Sequence, residues 1–246
     1  MDDIVVRGIV LSASLYGEYD KRLVVLTDEL GKITVFANGA RREKSPLKAV
    51  AQSFTMARFR LRCGRNAYTL ISAEIEESFR ELALDMEKMC YAAYFCELME
   101  YFAQTGVAAG PELNLLYISF LALIDDRYDN RQIKMAFCLK LLDIEGVGLH
   151  MGDCVFCSSK EDIFYMDYSS GGAVCDKCLK RAPKAFKISD GALYTIRYIL
   201  SSGISKVYNF KLDDRLLNEV DKISTDYLQK NVDRNFKSLD ILKEII

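Results

Sequence analysis

A chain of 246 residues, 50% hydrophobic and 28% charged, is long enough for one large or two ordinary domains with a sizeable core, and is not a disordered segment. Its 33 basic and 35 acidic residues leave a net charge of −2, which by itself argues neither for nor against a polyanionic partner. The charge is segregated, however: from Lys32 to Arg65 nine Lys/Arg face Glu43 alone, whereas from residue 66 onward 21 basic residues face 28 acidic ones, so a near-neutral chain still offers a basic face.

The N-terminus opens with Asp2 and Asp3 and carries Arg7 inside its first apolar run, the opposite of a secretory signal. Five β-rich runs follow, at 4–13, 20–27, 31–38, 52–62 and 66–75, with turn-like residues such as Tyr16-Gly17-Glu18 between them. The third alternates, Ile33, Val35 and Ala37 on one face against Lys32, Thr34, Phe36 and Asn38 on the other, which leaves Phe36 an outward aromatic. In the fourth, the apolar parity shifts between Phe54/Met56 and Phe59/Leu61, predicting a bulge near Ala57 with Arg58, Arg60 and Arg62 on one face beyond it. The gap after residue 38 has room for a short helix. Five strands with that connection predict a Greek-key barrel of the OB type, with an SH3-like barrel as the competitor.

From about Arg80 the period becomes helical, with stretches at 80–104, 112–126 and 131–145, and Gly106, Gly110 and Pro111 between the first two. The apolar run Tyr117 to Ile124 stops at Asp125 and Asp126, far short of a membrane span. Met86, Met89, Cys90, Ala93, Tyr94 and Met99 form a stripe expected to be core, and Cys63, Cys90, Cys96 and Cys138 read as small buried hydrophobes. Helices resume at 189–201, with Ser189 as N-cap, at 212–230, and from about Phe236.

Between the two sets of helices stand Cys154-Val155-Phe156-Cys157 and Cys175-Asp176-Lys177-Cys178, a C-x2-C-x17-C-x2-C pattern. Seventeen intervening residues fall in the range of a tetrathiolate zinc site. Four thiolates leave no position for water, so the expected role is structural, with iron the lesser alternative and His150 a capping or surface residue. Lys177, Lys180, Arg181, Lys184 and Lys187 behind the second pair read equally as an anion-binding patch or a solvated face. With a single histidine and no P-loop, no catalytic constellation emerges. Gly146-Val147-Gly148 follows a helix and has Met151 where a third dinucleotide glycine should be, and Lys187-Ile188-Ser189-Asp190-Gly191 is one residue too long for a nucleotidyl-transfer motif.

Gly8-Ile9-Val10-Leu11 with Tyr16-Gly17-Glu18, the stretch from Gly31 to Arg42, and Gln52-Ser53-Phe54 resemble the RecO family of bacterial recombination mediators. Tyr91-Ala92-Ala93-Tyr94, Lys140-Leu141-Leu142 leading to Gly148-Leu149, and the cysteine pairs extend the likeness to about residue 200. The resemblance implies an α+β protein: an OB domain over residues 1–78, then a helical domain over 79–246 with an inserted zinc segment at 150–187. It further implies a non-enzymatic role in the RecF pathway, cytoplasmic and nucleoid-associated. Such a protein binds single- and double-stranded DNA, anneals strands, contacts single-strand DNA-binding protein, and with RecR helps load RecA.

The DNA contacts expected are Lys32, Phe36, Arg41, Arg42, Lys44, Arg58, Arg60, Arg62 and Arg65, cations for phosphate and Phe36 for a base. Asn38 stands where family members often carry a basic residue, and Glu43 dilutes the same loop. For the acidic, apolar tail of single-strand DNA-binding protein, Arg127, Arg131 and Lys134 are expected to edge an apolar slot. An OB-fold RNA-binding accessory protein is the alternative.

Overall fold

Period-two alternation becomes inside-outside geometry along the third strand and most of the fourth in the computed structural model, which describes residues 3–245. β1 (Asp3–Tyr16), β2 (Asp20–Thr27), β3 (Gly31–Ala37), β4 (Thr55–Cys63) and β5 (Tyr68–Ser78) close into a barrel in the order β1-β2-β3-β5-β4. Only the β3–β5 pair is parallel, and β4 returns to β1 antiparallel, the OB arrangement. Val10, Leu23, Val25, Ile33, Val35, Phe59 and Leu61 fill the interior. The bulge in β4 sits between Met56 and Ala57, with a second between Arg60 and Leu61.

The long gap before β4 holds no helix. Residues 38–54 run as successive turns, Arg42 N–H donating to Gly39 C=O, Ser45 to Arg42 and Lys48 to Ser45, and bury Ala40, Val50 and Ala51 against the barrel. Gly39, in the left-handed region at φ 68°, and Pro46, which lacks an N–H, bracket a stretch too short for a cooperative helix.

The first helical stretch is also divided. A 3-10 turn over Arg80–Leu84 precedes α1 (Met86–Phe102), and the Asp85 carboxylate caps α1 by accepting from Lys88 N–H at 3.0 Å. Met86 and Met89, expected in the core, lie on the solvent side, while Cys90, Tyr94 and Met99 are buried. Cys90, Cys96 and Cys138 are buried as expected, and Cys63 is half-buried. Gly110 and Pro111 open α2 (Gly110–Ile124) instead of separating it from α1, proline being tolerated in a first helical turn.

Two compact units result: residues 1–124 with 236–246, and residues 125–235. The boundary expected after residue 78 follows the change from strand to helix, but contacts keep α1 and α2 with the barrel. The segment after α1 bonds to the β2–β3 turn, with Lys32 N–H on Gln104 C=O at 3.2 Å, Gly106 N–H on Leu30 C=O and Ala109 N–H on Asp28 C=O at 2.9 Å. Gly31 permits this approach, since a Cβ there would stand 2.0 Å from the Gln104 oxygen. The last helix, α6 (Lys237–Ile245), packs back on α1 through Phe236, whose ring lies 5.5 Å from that of Tyr94.

In the second unit α3 (Asn130–Ile144) is buried along most of its length and packs against α4 (Asp190–Ser201) and α5 (Asp214–Asn231). Ser189 caps α4, its hydroxyl accepting from Ala192 N–H at 3.1 Å. Between α3 and α4 lies a small sheet of β6 (Ile163–Asp167), β7 (Gly172–Cys175) and β8 (Phe186–Lys187), in the order β7-β6-β8. Among the described residues no helix is long and apolar enough to cross a membrane.

Candidate nucleic-acid interface and metal centre

The four cysteines converge. Their sulfurs all lie within 4.8 Å of one another, and Cys157 Sγ is 3.7 Å from Cys175 Sγ. A tetrahedral ion with metal–sulfur bonds of about 2.3 Å requires sulfur separations of roughly 3.8 Å, so the cage fits a zinc-sized cation. The first knuckle is closed by Ser158 N–H on Cys154 C=O and Cys154 N–H on Ser159 C=O, both 2.8 Å. The second pair is delivered by the end of β7 and the 3-10 turn Asp176–Arg181.

Gly172 lets the chain at His150 lie against β7, where His150 C=O accepts from Ala173 N–H at 2.8 Å and a Cβ on Gly172 would meet that oxygen at 2.1 Å. Burial opposes ionisation of Cys154, yet amide N–H groups of Cys175, Phe156 and Cys157 outweigh it and hold the thiol down at about 6. Burial and the neighbouring thiols push Cys178 up to about 12. Four adjacent sulfurs thus resist ionising together, and a divalent cation is what lets them. His150 stays outside the cage, its Nε2 2.8 Å from Asp153 Oδ1 on the surface.

The nine expected DNA contacts separate into two groups. Lys32 turns toward α1 and donates to the Glu100 carbonyl oxygen, so it does not join an open face. Arg58 is 2.8 Å from Glu76, which Arg7 also contacts at 2.8 Å, while Arg60 and Arg62 meet Asp3 at 3.1 and 3.6 Å. Nor is β4 an edge strand needing protection, because β1 and β5 pair with it on both sides. Sequence periodicity correctly put the three arginines on one face but could not show the acids arriving from β1 and β5.

Arg41, Arg42, Lys44 and Arg65 are exposed and have no carboxylate partner among the described residues. Arg41 donates to the Glu18 carbonyl at 2.8 Å, and the Arg42 guanidinium lies 5.5 Å from the Tyr19 ring centroid, tying the β3–β4 loop to the β1–β2 turn. Phe36 is half-buried, and its ring meets that of Tyr16 at 4.8 Å between centroids with the planes inclined by 48°. Arg22 of β2 is in register with both Ser14 and Phe36, and its exposed guanidinium donates to the Thr34 hydroxyl at 3.4 Å. Tyr19 and Arg22 were not singled out from the sequence, and Tyr16 was read there as a turn and family-motif residue, not as a DNA contact. The Tyr-Gly-Glu-Tyr turn with a cation three residues on was the available signal.

The residues expected to receive a protein tail are each taken up within the second unit. Arg127 forms a 2.5 Å ion pair with Asp125, Arg131 donates to the Asn218 side chain, and Lys134, largely buried, lies 2.8 Å from Asp221. They present no shared cationic edge. In the patch behind the second cysteine pair, Lys177, Lys180, Lys184 and Lys187 are exposed, and Arg181 lies 4.5 Å over the Phe156 ring.

Both halves of the chain, the barrel and the helical part that carries the four-sulfur cage, match models of one known family. The model described as "Recombination protein O N terminal" matches residues 1–79, and "Recombination protein O C terminal" matches residues 83–240. The chain belongs to the RecO family. Among curated relatives named DNA repair protein RecO, that of Acetivibrio thermocellus is 30% identical over 246 residues, spanning 100% of this chain and 98% of the relative. That of Alkaliphilus metalliredigens is 32% identical over 97% of this chain and 98% of its own. The Symbiobacterium thermophilum relative is 34% identical over 96% and 95%. A RecO-family chain is a DNA repair protein, and these names describe no enzyme activity.

Proposed function

We propose that this RecO-family chain binds single-stranded DNA on the outer face of β1, β2 and β3 and anneals complementary strands without itself being an enzyme. The observation that carries the reading is the tilted Tyr16–Phe36 ring pair beside Arg22, flanked by Arg41, Arg42 and Lys44, all cations without acid partners among the described residues. Phosphates displace counterions at such groups, whereas Arg58, Arg60 and Arg62 would first have to give up Glu76 and Asp3. Aromatic faces accept any base by stacking, so a strand can be held without being read, which annealing requires.

Zinc in the Cys154, Cys157, Cys175 and Cys178 cage acts as a structural ion that folds its segment. Family membership supports the wider role: recombination mediation in the RecF pathway, with RecR, single-strand DNA-binding protein and RecA as partners. The test is anisotropy titration of a labelled single strand, followed by annealing assays on strands coated with single-strand DNA-binding protein. Arg22→Gln with Phe36→Ala should lose at least tenfold in affinity and slow annealing; unchanged values in both would refute the reading. Equal competition by RNA would favour an RNA-binding role.

A further inference from the structure

A cleft between the β3–β4 loop and the residues following β5 has no part in the face just described. It is open to solvent, has a volume of about 610 Å³ and is lined by Ser45, Lys48, Gln52, Phe54, Phe79 and Arg80 among others, with no carboxylate in its walls. Lys48 and Arg80 are exposed and have no ion-pair partner among the described residues.

Phe54 has φ 64°, in the left-handed region that favours glycine. It is clamped there from both sides, its N–H donating to Val10 C=O at 2.9 Å and its C=O accepting from Phe79 N–H at 3.2 Å. Its ring is half-buried and meets Phe120 edge-on at 5.4 Å. Those two bonds fix the backbone in this conformation, and glycine would adopt it without strain. The clamp instead holds an aromatic ring at the cleft wall, and strain of this kind clusters at ligand sites.

We propose that this cleft takes one nucleotide of a bound single strand, the base against the Phe54 ring and its flanking phosphates against Lys48 and Arg80. The walls offer an aromatic surface, hydroxyl groups from Ser45 and Ser53, and two free cations, the complement of an aromatic anion, while the Gln52 amide is held by Lys21 and the Lys48 carbonyl. Lys48 lies four residues beyond Lys44 in the loop that carries Arg41 and Arg42, so a strand held by that loop is led toward the cleft. The inference rests on the DNA-binding reading and extends the strand's path away from the Phe36 face.

The full-length protein is irradiated with a strand carrying 5-iododeoxyuridine, which couples to stacked aromatic side chains, and titrated with oligothymidylate at several salt concentrations. A photoadduct on Phe54 is expected. The double variant Lys48→Gln, Arg80→Gln should lower the slope of log affinity against log salt by about 1.4, at roughly 0.7 per single-strand phosphate. Phe54→Asn, which tolerates the left-handed backbone, should weaken binding about five- to 150-fold, as for other stacked bases. If that variant loses stability, the adduct and the double variant decide. Adducts confined to Tyr16 and Phe36, with an unchanged slope in the double variant, overturn the cleft while leaving the barrel face standing. Loss of acidic-peptide binding in that variant, with DNA affinity intact, overturns it in favour of a protein ligand. Failure of the wild-type protein to bind the strand overturns the underlying reading itself.

Discussion

At the scale of single residues, the same charge means different things according to what faces it. Lys134, 11% exposed at its side chain, and Asp221, 19% exposed, sit 2.8 Å apart in the second unit. Removing one partner of such a pair strands the other without solvent, so Lys134→Met should cost about 3 kcal/mol in urea unfolding, and Lys134→Met with Asp221→Leu should recover most of it. Glu76 shows the reverse situation, an exposed carboxylate shared by two arginines. The hydrogen bond from Arg7 holds its pKa below the ordinary 4.5, against burial and with help from Arg58. A carboxylate depressed in the folded state stabilises above its unfolded pKa, and that contribution disappears as pH falls through the folded value. Glu76→Gln should therefore lower the urea midpoint near neutrality and flatten its decline below about pH 4.5, whereas parallel curves for variant and wild type would show that the pair contributes nothing.

At the scale of elements, what could be read in the sequence was whatever repeats within a few residues. The β3 alternation, the β4 bulge, the Ser189 cap and the spacing of Cys154, Cys157, Cys175 and Cys178 are local and were visible. The course of residues 38–54, the side of α1 that carries Met86 and Met89, and the acids opposite Arg58, Arg60 and Arg62 depend on neighbours far along the chain. The cysteine spacing leads to a direct prediction. Metal analysis should find one zinc per chain, lost in Cys154→Ser together with hydrogen-exchange protection over 150–187, because structural zinc contributes roughly 10–16 kcal/mol to isolated fingers. Cys90→Ser, in α1, should leave the metal in place, and full retention in both Cys154→Ser and Cys175→Ser would remove the assignment. For β4, changing Arg58, Arg60 and Arg62 to Gln should lower the salt slope of strand binding by less than about 0.7, since ion-paired arginines release few counterions. Arg41→Gln with Arg42→Gln should lower it by about 1.4. A larger effect from the β4 triple would return the strand to that face.

At the scale of the molecule, the family boundary near residue 80 and the boundary between compact units at 124/125 differ because one follows secondary structure and the other follows packing. No periodicity in the sequence signals that residues 236–246 belong with a barrel that ended more than 150 residues earlier, since the α6 pattern is amphipathic and would suit any apolar neighbour. In the fold, the Phe236 ring lies 5.5 Å from Tyr94 and 6.3 Å from Tyr101, and the Ser238 hydroxyl donates to Glu97 at 2.8 Å. Burying a phenylalanine is typically worth about 3–5 kcal/mol against alanine. Phe236→Ala should consequently weaken the first unit by about 3 kcal/mol, although the residue lies just beyond the second unit in the chain. Hydrogen exchange read by mass spectrometry separates the possibilities. Protection should fall across α1 and the strands, while zinc content and protection of 150–187 stay at wild-type levels. Protection falling instead across α3, α4 and α5 would assign the C-terminal helix to the second unit.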